Sequence, residues 1–184
     1  MTSSAAALSR PASSEHAPYY ERYTSLVPEG DIVSILTQQL DEALQVLRGI
    51  DETRAGYRYA PDKWSIKQLV GHVIDGERIF AYRALRFARN DQTPLTGFDQ
   101  DDFVRGGNFD EHNFADLVDE FENVRRASIL LFKPLSEEAW LRRGTANDDE
   151  VSVRALAHIM AGHVTHHLQI LRSRYLADET APAS

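Results

Sequence analysis

Four of the seven histidines fall between His158 and His167, in the run HIMAGHVTHH. Residues four apart on an α-helix lie about 40° apart around the axis and one turn along it, so His163 and His167 can turn their imidazoles towards one ion. Leu156, Ile159, Met160 and Ile170 share that stripe, which puts both rings on the face a helix buries. A metal site needs at least a third ligand, and the chain has no cysteine, so the donors must be His, Asp or Glu. His72 is the candidate, in the middle of a second helical stretch on a stripe with Leu69, Ile79 and Phe80. Gly76 follows one turn later and leaves space beside the imidazole. His166 competes for the ligand role but ranks below His167, because it sits at the stripe's edge, about 60° from His163, where a hydrogen-bonding or pocket position is easier. His158 should face away. Asp75 and Arg83 flank the His72 stripe as candidate substrate contacts.

Three neutral imidazoles leave a divalent ion its full charge. That charge lowers the pKa of bound water towards about 7, or ionises a coordinated thiol. Hydrolysis follows if water is activated, and S-transfer to a small electrophile if a thiol is. The rival reading is a non-catalytic helical bundle that binds a metal or small ligand in a stress response. A blander one keeps the histidines as polar core residues. No G-x-S-x-G, glycine-rich phosphate loop, H-E-x-x-H or di-iron E-x-x-H pattern is present.

Helical periods must position these residues. The first helix should start at Asp31, a good N-cap, and stop near Gly49. The second has a capping-box pair, Ser65 and Gln68, with Trp64 and Leu69 at the staple positions, and should reach about Ala88. The third should span about Phe114 to Lys133 and end at Pro134. A short turn capped by Ser136 should precede the fourth, from Ser152 to about Leu176. No hairpin or strand alternation stands out. The expected fold is all-α, a four-helix bundle with a long ordered loop between helices two and three. That loop allows a non-sequential arrangement, and its 93–107 portion would pack over the site. Residues 19–177 would form the single domain, with flexible tails at 1–18 and 178–184.

With 20 Lys+Arg against 28 Asp+Glu and a net charge of −8, the long-range field repels phosphate backbones and anionic lipid, so neither nucleic acid nor membrane is an expected partner. The paired Arg125 and Arg126, and Arg142 and Arg143, sit amid acidic neighbours and read as solvated faces. There is no secretory signal pattern and no apolar run of membrane-spanning length, and a cytoplasmic location is the expectation.

The stretches KWSIKQLVGHVIDGERIFAYRALRFARND (63–91), TPLTGFDQDDFV (93–104) and SVRALAHIMAGHVTHHLQILRSRYL (152–176) resemble the DinB/YfiT-like metalloenzyme family. The resemblance covers most of residues 30–176. It implies a four-helix bundle, commonly a homodimer, whose three histidines bind a divalent metal ion, often zinc or nickel. By motif these are His72, His163 and His167. It also implies chemistry on a small-molecule substrate, including thiol transferase and isomerase reactions in which the metal lowers the pKa of a low-molecular-weight thiol.

Overall fold

The computed structural model describes residues 9–177, which are mostly helical. A short α1 (Glu21–Thr24) precedes the long α2 (Ile32–Leu47), and a single turn, α3 (Glu52–Ala55), leads to α4 (Ile66–Ala88). The connection after α4 contains α5 (Gln100–Gly107). Then come α6 (Phe114–Phe132), the short α7 (Glu137–Leu141), a hairpin of β1 (Arg143–Ala146) and β2 (Asp149–Ser152), and α8 (Val153–Ile170) with a π-helical turn at Leu171–Tyr175.

The long helices begin where their caps dictate. Asp31 accepts the Ser34 amide at 2.7 Å, Ser65 and Gln68 exchange bonds at 3.0 and 3.1 Å, and Ser152 accepts the Ala155 amide at 2.9 Å, each satisfying an orphan donor of the first turn. Among the four long helices the packing runs α2–α6, α6–α4, α4–α8 and α8–α2, and the short α1 packs on α8. The chain neighbours α2 and α4 therefore stand across the ring from each other, as do α6 and α8, and the crossings are made by the connection that holds α3 and by the one that holds α7 and the hairpin.

Two apolar clusters fill the interior, one around Leu36, Phe87, Phe132, Trp140 and Leu156, the other around Leu40, Leu69, Leu117, Phe121 and Leu171. Between them every long helix contributes buried polar groups: Gln39, Glu77, Arg125 and His163. Arg125 is fully buried. Its Nε and Nη2 donate to the two Glu77 carboxylate oxygens at 2.8 and 2.9 Å, and Nη1 donates to Gln39 Oε1 at 2.7 Å. Gln39 Nε2 in turn donates to the Ala161 carbonyl and to Thr165 Oγ1, both at 2.8 Å. The expectation of a solvated Arg125 is therefore corrected: its stripe, Val118, Phe121, Arg125, Ser128 and Phe132, is buried throughout. Arg126 does lie outside, pairing with Glu122 at 2.6 Å.

Two further features depart from expectation. The hairpin turns at Asn147 and Asp148, both with positive φ (55° and 65°), as a two-residue primed turn requires. Residues 9–18, expected to be part of a flexible tail, instead lie on the helical body. Glu15, 4% exposed, accepts from Ser152 Oγ at 2.8 Å and Arg154 Nε at 3.1 Å. Charge-assisted bonds supply what the segment's small side chains lack. Residues 1–8 and 178–184 of the expected tails lie outside the described residues. No helix among the described residues is long and apolar enough to cross a membrane.

Replacing Arg125 by Met strands the Glu77 carboxylate in the core and should lower stability to urea by about 3–5 kcal/mol. Adding Glu77→Leu should restore part of the loss; a double variant weaker than the single one would contradict this account.

Candidate metal centre

The capping box sets the phase of α4 so that His72, two turns in, faces α8. The α8 stripe presents His163 and His167 to it. His72 Nε2 lies 3.0 Å from His163 Nε2, and His167 Nε2 lies 3.1 Å from the same atom. All three rings are buried, and their ligand atoms lie within 4.8 Å of one another. An ion about 2.1 Å from each imidazole nitrogen holds perpendicular ligand pairs about 3.0 Å apart and tetrahedral pairs about 3.4 Å apart, so the 3.0 and 3.1 Å spacings to His163 fit one small ion.

Burial is the leading cause of the depressed pKa at all three rings: about 4 for His72, about 3 for His167, and well below the usual value for His163. Repulsion from neighbouring imidazoles, His166 among them at every ring, adds to it, and at His163 the Arg125 charge adds further. All three are therefore neutral at pH 7, with lone pairs free for a cation.

The space beside Gly76 is taken by the His163 ring. A Cβ there would stand 2.9 Å from His163 Cε1 and 3.3 Å from Nδ1, so glycine lets α4 and α8 approach at the level of the triad. On the other side of His163, a Cβ at Gly162 would stand 2.0 Å from the Tyr23 carbonyl oxygen. The α1 backbone thus presses directly on α8, and the Tyr23 ring meets His163 and His166 edge-on at 5.4 and 5.5 Å.

A cavity of about 310 Å³ opens over His72, His163 and Gly76. Tyr19, Tyr20 and Tyr23 wall it on one side; Gly97 and Phe98 of the 93–107 stretch cover another, with Asn147 of the hairpin turn beside them. This loop is held in place where Leu95 pairs with the hairpin, donating to the Thr145 carbonyl and accepting from the Asn147 amide, each at 2.9 Å. Arg83 lines the cavity and is 4% exposed.

Of the other residues singled out in the sequence, His166 is only partly buried and packs against Tyr23 and His167 outside the triad. Asp75 does not line the cavity. It is electrostatically coupled to Arg78 and Glu120, and burial raises its pKa. His167 closes the back of the triad against Leu69, Val73 and Phe121, and its Nδ1 is buried without a hydrogen-bond partner among the described residues. His158 is also buried, 1% exposed, with Nδ1 3.0 Å from the Arg154 carbonyl. Sequence reasoning missed the tyrosine wall, whose one signal is the spacing of Tyr19, Tyr20 and Tyr23 on a single helical face.

The DinB superfamily profile matches residues 35–171, and the chain belongs to that superfamily. Its structure is similar to that of YfiT from Bacillus subtilis, described as a probable metal-dependent hydrolase with an unusual four-helix bundle topology: TM-score 0.69 and 13% identity, over 93% of this chain and 94% of that one. It is also similar to a mycothiol-dependent maleylpyruvate isomerase, with TM-score 0.61 and 17% identity over 74% of this chain and 58% of the isomerase. At these identities the likeness concerns the fold. No protein of curated function matches the sequence.

Two outcomes are expected. Gly76→Ala should gain helix propensity, about 1 kcal/mol, yet displace the His163 ring and weaken zinc or nickel binding at least tenfold in a chelator competition; unchanged affinity would show that the close approach is not needed. The folded-state pKa values of His72, His158 and His167, about 4, 4 and 3, lie below the unfolded value of 6.5, so the unfolded chain binds more protons as pH falls below 6.5. Their stabilisation is complete above that pH and shrinks below it. Between pH 7 and 5.5, metal-free protein should lose on the order of 1 kcal/mol per buried imidazole, read from urea midpoints. A flat profile would contradict burial of neutral rings.

Proposed function

We propose that the chain is a four-helix-bundle metalloenzyme in which His72, His163 and His167 hold one divalent ion, zinc or nickel, and which acts on a small electrophilic substrate. The observation that carries this reading is the meeting of three buried imidazole nitrogens, two of whose rings, His72 and His163, line a cavity of about 310 Å³. When bound, the ion supplies Lewis acidity that makes a nucleophile of water or of a low-molecular-weight thiol at neutral pH. The chain's own residues do the rest. Burial and mutual repulsion keep the imidazoles unprotonated. The tyrosines of the N-terminal arm and Phe98 exclude bulk water from the reacting atoms. Burial and the neighbouring Tyr19 push the Tyr23 hydroxyl pKa up, so it stays protonated. Fold likeness to YfiT, described as a probable metal-dependent hydrolase, supports water as nucleophile, and likeness to a mycothiol-dependent isomerase supports the thiol.

Tag-free protein purified without chelator should carry about one divalent ion per chain, and His72→Ala and His163→Ala should lose it while keeping their helical circular dichroism. Absence of metal from folded wild type, even after reconstitution, would sink the proposal. In cobalt-loaded protein, azide or 2-mercaptoethanol should change the visible spectrum. A spectrum indifferent to both would mark a closed site and favour the non-catalytic alternative.

A further inference from the structure

Three arginines of this chain are largely withdrawn from water, and their surroundings differ. Arg125 is paired through both faces of its fork with Glu77. Arg154 is paired with Glu15. Arg83, 4% exposed, donates from Nη2 to the Thr96 carbonyl at 3.3 Å, and no carboxylate among the described residues lies within ion-pair distance of it. Arg83 is among the residues that line the cavity above His72 and His163. A cation this deeply buried is costly unless an anion meets it, and the acids at the cavity rim are not placed to do so. Asp99 is exposed and accepts the amides of Asp101 and Asp102 at 2.9 Å, as the cap of α5. Asp149 is exposed in the hairpin.

We infer that Arg83 is a substrate-binding residue that receives a carboxylate, so the molecule taken into this cavity is a small carboxylic acid with its reacting atom held over the histidine triad. This deepens the metalloenzyme reading above and rests on it for the identity of the reacting centre. The planar fork of a guanidinium matches a carboxylate through two parallel hydrogen bonds. The same fork accepts phosphate, but no other lysine or arginine among the described residues lines the cavity, so the second charge of a phosphate dianion would go unmatched. The net charge of −8 gives no long-range attraction for anions, so selection is local, made by one buried cation. Arg83 starts two turns beyond Gly76, about 10 Å along the axis, and a helical side chain leans back towards the N-terminus, closing roughly half of that gap. The carboxylate is therefore held about 5–8 Å from the reacting atom, the length of a chain of a few carbons.

The test uses succinate, its neutral counterpart succinamide, and inorganic phosphate, titrated calorimetrically into the full-length protein both metal-free and zinc-loaded. Succinate should bind at least tenfold more tightly than succinamide in both forms, and phosphate should not displace it. Arg83→Gln should abolish the preference, and Arg83→Lys, which keeps the charge but loses the fork, should retain part of it. Equal binding of succinate and succinamide by wild type, a preference that survives in folded Arg83→Gln, or displacement by equimolar phosphate would each overturn the inference. Because the metal-free form is included, failure of the metal reading shows separately, as zinc not retained by protein that still prefers succinate.

Discussion

Burying the Arg125 guanidinium against the Glu77 carboxylate removes two full charges from water, a cost offset only by bidentate geometry and by the Gln39 carbonyl that takes the remaining donor. Such a pair tolerates little rotation of either helix, so it fixes α6 against α4. Through Gln39 it also fixes α2 against α8 at Ala161 and Thr165, the positions two before and two after His163. The register of the histidines is thus set by a polar network in a layer where apolar packing alone would accept several rotations. The same guanidinium helps keep His163 unprotonated. One buried ion pair therefore serves both the alignment of the triad and its charge state.

The cavity above that layer is assembled from pieces far apart in the chain. Its floor is α4 and α8, which are rigid, long and capped. Its walls are an N-terminal arm, a loop stapled to a hairpin, and the hairpin turn itself. Division of labour follows from this construction: the histidine rings sit on regular helices, where position is precise, and the surfaces that shape the cavity sit on connections.

Much of this was legible in the residues. Asp31, Ser65 with Gln68, and Ser152 mark helix starts because each satisfies amides that nothing else in its turn can. The spacing of His163 and His167 gives their shared face directly. The rest depended on partners that sequence order hides. Arg125 beside Arg126 looks solvated, and only its place in the stripe from Val118 to Phe132 hints otherwise. The strands of the hairpin are four residues each, too short to show alternation, and β1 contains Gly144, where a Cβ would stand 2.2 Å from the Phe87 ring. Residues 9–18 lack apolar mass, and their anchor, Glu15, finds Ser152 and Arg154 at separations of 137 and 139 residues.

Those long separations, with the seating of Tyr23 on Gly162, impose an order of assembly. During synthesis the arm leaves the ribosome long before α8 exists, and until that helix forms, the Glu15 carboxylate has neither of its partners and the α1 backbone has no glycine notch to enter. The loop closed by these contacts spans most of the domain, and its entropy is recovered only when the last long helix docks. The tyrosine wall is therefore completed late in folding, over a histidine cluster that α4 and α8 can form without it. During that interval the cluster stands open to the solvent and to whatever cations the solvent carries.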